Sequence, residues 1–284
     1  MIRKNTAFGC LLGIVLVLTT CKQEVGNAPA NIAPGDDPNF TIIATTNGDL
    51  GGFNRKVIVF DIPIFAVPDV EDKKLLHAAN VMAQYLDNDE DGAIDNQVVH
   101  AAMQTNNAFM VMWNKESDLD DIDPPNNAEG QDLGNDETIP GFVANGKIGR
   151  FDASLEEVWH IISHAGYASA YPSIFGEKKG TVLTNAMDKA RGGQFTKIPD
   201  PYPANAWYSY DDHTCDYSCM ATEYIYWALT SILGAQENRL NEISQEWDLN
   251  TRDLVQNTDV AVFDLLTDPQ YKFPKILPDG TYKR

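Results

Sequence analysis

The chain has 284 residues, and its 41 Asp and Glu outnumber its 21 Lys and Arg to give a formal charge of −20. A surface this acidic repels phosphate backbones and excludes nucleic acid as a partner, while it suits divalent cations or a saline habitat. No internal repeat appears, and no second linker is long enough to argue for two domains.

The first element is a targeting segment, residues 1–20, which stands outside the fold. MIRKNT carries Arg3 and Lys4, and AFGCLLGIVLVL (residues 7–18) is an apolar run too short for a comfortable membrane span. LTTC then closes on Cys21. A small-residue stretch ending on cysteine resembles a bacterial lipoprotein signal. That resemblance implies lipidation of Cys21 and an exported, membrane-anchored protein, periplasmic or at the cell surface; an ordinary secretory peptide cleaved nearby is the alternative. Losing residues 1–20 removes Arg3 and Lys4 and no acid, which takes the formal charge from −20 to −22. Residues 21–40 are polar and read as a flexible tether, which leaves residues 41–284 as one domain. Cys10 falls in the signal and Cys21 at the anchor, so Cys215 and Cys219 remain. In an oxidising compartment that pair is most simply a disulfide.

TIIATT (residues 41–46) and KVIVFDIPIFA (56–66) read as strands, being β-branched and aromatic. From residue 71, EDKKLLHAANVMAQYL repeats apolar residues at helical spacing. A loop follows, then a helix across VVHAAMQ and a strand at AFMVMW. Residues 117–137 are acidic and rich in Pro, Gly and Asn, and are expected to form an irregular surface loop. FDASLEEVWHIISHAGY reads as a helix that stops near Gly166, and GTVLTNAMDKARGG as another ended by Gly192 and Gly193. A loop rich in aromatics leads to the most apolar helix of the mature chain, CMATEYIYWALTSILGAQ. Two short helices, at NRLNEISQEW and DVAVFDLL, precede the tail. Helices dominate and the strands come early, which predicts an α+β domain, mainly helical with a small sheet.

DNDEDGAIDNQV (residues 87–98) resembles the calcium-binding loop of the EF-hand family over a dozen residues. Asp87, Asp89 and Asp91 alternate so that three carboxylates converge, and Gly92 permits the sharp turn. The carbonyl of Ala93 adds an oxygen, and Asp95 acts directly or through water. The family's twelfth residue is a bidentate glutamate; here it is Val98. The competing interpretation is a solvated acidic turn.

In LEEVWHIISHAGY, His160 and His164 stand four apart, one above the other on a helix face. Two imidazoles so spaced resemble the HxxxH helix of the zincin metallohydrolases, which implies a zinc-type ion and hydrolysis of peptide bonds. Zincins of the glutamate class take a third ligand from a later helix, and Glu223 in the apolar helix fits that place. The residue after His160 is Ile161, where that family has its base, so Glu157 or Glu156 one turn back must serve. The plainer account is a capping box of Ser154 and Glu157, with Glu223 paired to Arg191 or to tyrosine hydroxyls. His213, in DDHTCDYSC, is a candidate fourth ligand or proton shuttle, and with Cys215, Cys219 and Asp211 or Asp212 also a rival structural zinc site.

The sequence thus predicts an exported, lipid-anchored metallohydrolase, peptidase-like, with zinc at His160, His164 and Glu223 and a separate structural calcium. The alternative is a non-enzymatic calcium-binding surface lipoprotein.

Overall fold

The computed structural model describes residues 37–45, 50–120, 122 and 124–284; the signal, Cys21 and most of the tether lie outside these. The described residues form an α+β fold of eight α-helices and one five-stranded mixed sheet.

Three strands, β1 (Ile43–Ala44), β2 (Arg55–Val59) and β3 (Ile62–Ala66), make an antiparallel meander. Two more, β4 (Phe109–Trp113) and β5 (Gly130–Gly134), extend it in parallel, in the order β1-β2-β3-β4-β5. The strand expected over residues 56–66 is therefore a hairpin. It turns at Phe60 and Asp61, whose φ angles of 45° and 68° are left-handed. A two-residue turn of this kind favours Asn-Gly or Gly, so Phe-Asp hides it from a reading of turn residues. β5 is a second correction, because it lies inside the segment expected to be irregular. Gly-Gln-Asp-Leu-Gly has little intrinsic β preference. It becomes a strand because β4, with four of its five residues buried, offers it a ladder.

The helices are α1 (Asp72–Leu86), α2 (Gln97–Thr105), α3 (Ser154–Ile161), α4 (Val182–Ala190), α5 (Tyr217–Ile232), α6 (Leu240–Ile243), α7 (Arg252–Thr258) and α8 (Val260–Thr267). Short α7 escaped the sequence reading, since Val255 is its one buried residue. Thr251 starts it by accepting a hydrogen bond from the Leu254 N–H. Helix α3 does not end at Gly166. It runs on as a π-helical stretch, Ile162–Ala168, inside which Gly166 lies against α2. A Cβ there would meet Val99 Cγ1 at 2.7 Å and Met103 Cγ at 3.1 Å, so this glycine permits close packing rather than a stop.

α1 and α3 pack on one face of the sheet, and α5 packs against α3, α4, α7 and α8. This explains why α5 is apolar all round: every residue from Met220 to Ile232 is buried. Trp159, Trp247, Tyr208, Tyr224 and Tyr226 fill the layer between these elements. Loss of an aromatic such as Trp159 from such a layer costs about 3–5 kcal/mol.

Candidate metal centre

The first turns of α3 carry Glu156, Glu157 and His160, and the middle of α5 carries Glu223. Glu156 and His160 are four apart and share a helix face, and that face meets α5. Glu156, His160 and Glu223 bring one donor atom each within 4.8 Å of one another. His160 Nε2 lies 3.5 Å from a Glu223 carboxylate oxygen and makes no hydrogen bond. The pair is closed from solvent, with His160 5% and Glu223 4% exposed.

The other imidazole nitrogen has a different neighbour. His160 Nδ1 is 3.2 Å from Glu157 Oε2, and the same oxygen accepts a 2.5 Å hydrogen bond from Gln131 Nε2 on β5. A carboxylate on Nδ1 fixes the imidazole orientation and leaves Nε2 facing the donor group, the arrangement that metal-ligating histidines use. Glu157 is therefore not the capping-box partner of Ser154. The helix begins instead with Asp152 accepting from the Ser154 N–H, and the Ser154 hydroxyl has no hydrogen bond.

The charges around this group are out of balance. Burial, then Glu157 and Glu223, push the Glu156 carboxyl well above the usual carboxylate range. Burial also raises Glu157, against the pull of His160. Two outlying acids follow: burial and Glu157 push Glu137 up to about 7, and burial and Glu223 push Glu246 up to about 7. Burial would lower His160, but Glu223 and Glu157 outweigh it and hold the imidazole well above its ordinary value. Arg239 helps to offset Glu156 and Glu246. Buried carboxylates so crowded are costly unless a cation joins them.

His164, expected beside His160, is held elsewhere. Its Nδ1 is 2.7 Å from Glu177 and its Nε2 3.4 Å from Glu129. Burial opposes protonation there, yet Glu129 and Glu177 raise the imidazole above its ordinary value. Ser218 and Thr222 of α5 complete the setting by donating to Glu177 at 2.9 and 2.8 Å. His164 lies in the π-helical stretch, where the wider winding breaks the four-residue stacking that sequence spacing assumes. The donor set thus holds Glu156 where spacing pointed to His164. Gln131, Glu129 and Glu177 were missed altogether: they stand on an unexpected strand and in loops, without periodicity to mark them.

Other candidates fall into place around this centre. Arg191 does not meet Glu223; it donates to the Phe195 carbonyl and the Tyr202 hydroxyl. Cys215 and Cys219 form a disulfide, with Cα atoms 5.3 Å apart, at the start of α5. His213 is exposed on the preceding loop.

The acidic loop forms a second donor group, in which Asp87, Asp89 and Asp91 lie within 4.8 Å of one another. Asp87 is fully buried and accepts from the N–H groups of Asp91 and Gly92 at 3.1 and 2.8 Å, and from the Tyr282 hydroxyl. Gly92 has φ +88°, the left-handed turn its position requires. Asp91 accepts from the Ala93 N–H, and Asp95 from the Asn88 N–H, each at 2.8 Å. Burial, with Asp89 and Asp87 nearby, raises the Asp95 carboxyl. Val98 is 55% exposed and adds no oxygen. The C-terminal segment clasps this region: Gln84 accepts from the N–H groups of Asp279 and Gly280, and Asn88 from those of Lys275 and Ile276.

The chain matches no family model, no curated protein and no solved structure. Among the described residues, no helix is long and apolar enough to cross a membrane.

Proposed function

We propose that this protein is an exported, lipid-anchored metal-dependent hydrolase, with a zinc-type ion held by Glu156, His160 and Glu223 and peptides as the substrate class. One observation carries the proposal: three donor groups from two helices converge, His160 and Glu223 buried and Glu156 half-buried, and His160 Nε2 makes no hydrogen bond there. The plan keeps the zincin-like pairing of a histidine helix with a later glutamate helix, Glu156 taking the ligand place that spacing assigned to His164. Bound there, zinc would act as a Lewis acid and lower the pKa of a coordinated water toward neutrality. Glu157, anchored by Gln131, orients the imidazole from its Nδ1 side and keeps the role of base in this reading. Anchoring through Cys21 and a structural calcium at Asp87, Asp89, Asp91, the Ala93 carbonyl and Asp95 belong to the same reading.

The test is elemental analysis of the mature protein beside a peptide-hydrolysis assay. One equivalent of transition metal is expected, lost together with activity in His160→Ala and Glu223→Gln. Stoichiometric metal in His160→Ala would overturn the ligand assignment.

The closure of the centre favours a second reading. A site whose histidine is 5% exposed suits an ion that ties α3 to α5 without turnover, in a calcium-binding surface lipoprotein. Bound metal without hydrolysis of any peptide would support it.

A further inference from the structure

Residues 272–284 invert the charge of the chain. They carry Lys272, Lys275, Lys283 and Arg284 against the single acid Asp279, in a protein of formal charge −20. All four cations are exposed, and they enter no ion pair among the described residues. Ile276 stands among them and is 65% exposed. Asp279 is engaged, its carboxylate accepting from Gln84 Nε2 and the Thr281 hydroxyl.

Helix α1 fixes where this segment lies. It is buried from Leu75 to Leu86, and Asn80, Gln84 and then Asn88, just past its end, follow four apart on one face. Asn88 Oδ1 accepts from the N–H groups of Lys275 and Ile276, and Gln84 Oε1 from those of Asp279 and Gly280. Asn80 donates to Asp37 at 2.8 Å, at the point where the chain enters the fold. Asn39 then donates to the Tyr282 carbonyl at 2.6 Å, and the Phe40 ring stacks on Tyr282 with centroids 6.2 Å apart. This stripe therefore sets the entry of the chain beside the cationic segment. Sixteen positions separate Asp37 from Cys21, so this side of the domain stays within about 60 Å of the proposed lipid.

The acidic loop borders the strip. Arg284 Cβ lies 3.8 Å from where a Cβ on Gly92 would stand, and Lys272 offsets Asp95. The exposed acids of the proposed calcium donor set are Asp89 and Asp91. Calcium bound there cancels both and leaves the four exposed cations. Acids elsewhere on the surface count for little, since charges more than about 8 Å away are screened at physiological salt. Each Lys or Arg at an anionic bilayer strengthens binding by about fivefold.

We propose that, with calcium in the loop, this strip docks the domain on an anionic bilayer, its cations on headgroup phosphates and Ile276 at the interface. The inference rests on the anchor and calcium readings above. The test is sedimentation of the mature chain carrying Cys21→Ser, which no lipid can hold, with vesicles of phosphatidylcholine alone or mixed equally with phosphatidylglycerol. With calcium, binding to the mixed vesicles should exceed both binding to phosphatidylcholine and binding in chelator by at least about tenfold. Lys272→Gln, Lys275→Gln and Lys283→Gln together should remove that gain while leaving the melting temperature and calcium uptake unchanged. Calcium uptake, read by titration of the same protein, separates the two ways of failing; neither anchor nor zinc enters the assay. Uptake without sedimentation would overturn the docking alone, and no uptake would overturn the loop assignment and the docking with it. Equal binding to phosphatidylcholine, or full binding by the triple variant, would also overturn the docking. Tighter binding of soluble polyglutamate than of the mixed vesicles would do the same, giving the strip to an acidic protein.

Discussion

His160 Nε2 and the Glu223 carboxylate stand 3.5 Å apart, although 63 positions separate them in the chain. This ion pair joins α3 to α5 through charge, and the proposed metal centre is built on it.

The first consequence concerns who the third donor is. In the proposed centre, Glu156→Gln should lose the metal, whereas His164→Ala should keep it, because His164 is engaged by Glu177 and Glu129. Metal content of the two purified variants decides the matter. The opposite pattern would restore His164 as ligand and remove Glu156.

Glu157 acts on the ion through His160. Its carboxylate sits 3.2 Å from Nδ1, so Glu157→Gln should weaken metal affinity by about 10- to 100-fold without abolishing binding. Chelator competition measures this. Undiminished affinity would leave Glu157 no part in positioning the imidazole.

The metal-free protein should lose stability as pH rises. Glu137 and Glu246 are held at about 7 in the fold against a reference value of 4.5. Between those values the unfolded chain has released protons that the folded chain retains, so stability declines as pH climbs through 7. His160 and His164, both raised, act in the same sense: their contribution is full below 6.5 and fades above it. Melting of chelator-treated protein should therefore be higher at about pH 5 than at about pH 8, by roughly 5 °C. Zinc should narrow the gap, since it replaces the protons. A melting temperature that rises with pH would contradict this account.

Calcium should stabilise through the acidic loop. At a free concentration 100 times its Kd, the ion adds about 2.7 kcal/mol. The shift should vanish in Asp89→Ala, whose side chain is exposed and outside the core. Thermal melts with and without calcium measure it, and an equal shift in the variant would place the ion elsewhere.

Gly280 pins the C-terminal segment to α1. Its φ is +77°, and a Cβ would collide with the His77 ring, which is itself bonded to Asp152 at 2.6 Å. Gly280→Ala should cost about 2 kcal/mol or more, read as a lowered midpoint in urea. An unchanged midpoint would mean that the segment yields without loss.

Much of this was legible in one dimension, wherever the cause is local. The repeat of apolar residues wrote α1, the closing Gly192 and Gly193 bounded α4, the apolar run wrote α5, the alternating aspartates with Gly92 wrote the acidic loop, and the remaining even pair of cysteines wrote the disulfide. What stayed hidden depends on partners distant in the chain. β5 is a strand only because β4 lies beside it, and Gly166 is a packing contact only because α2 crosses there. His164 is drawn to Glu129 and Glu177 by a π-helical winding that no periodicity announces, while Glu156 reaches Glu223 because α5 is buried against α3. Spacing along a helix sets which side chains can share a face. Which of them meet a second carboxylate is settled by how two buried helices pack, and that is a property of the whole core.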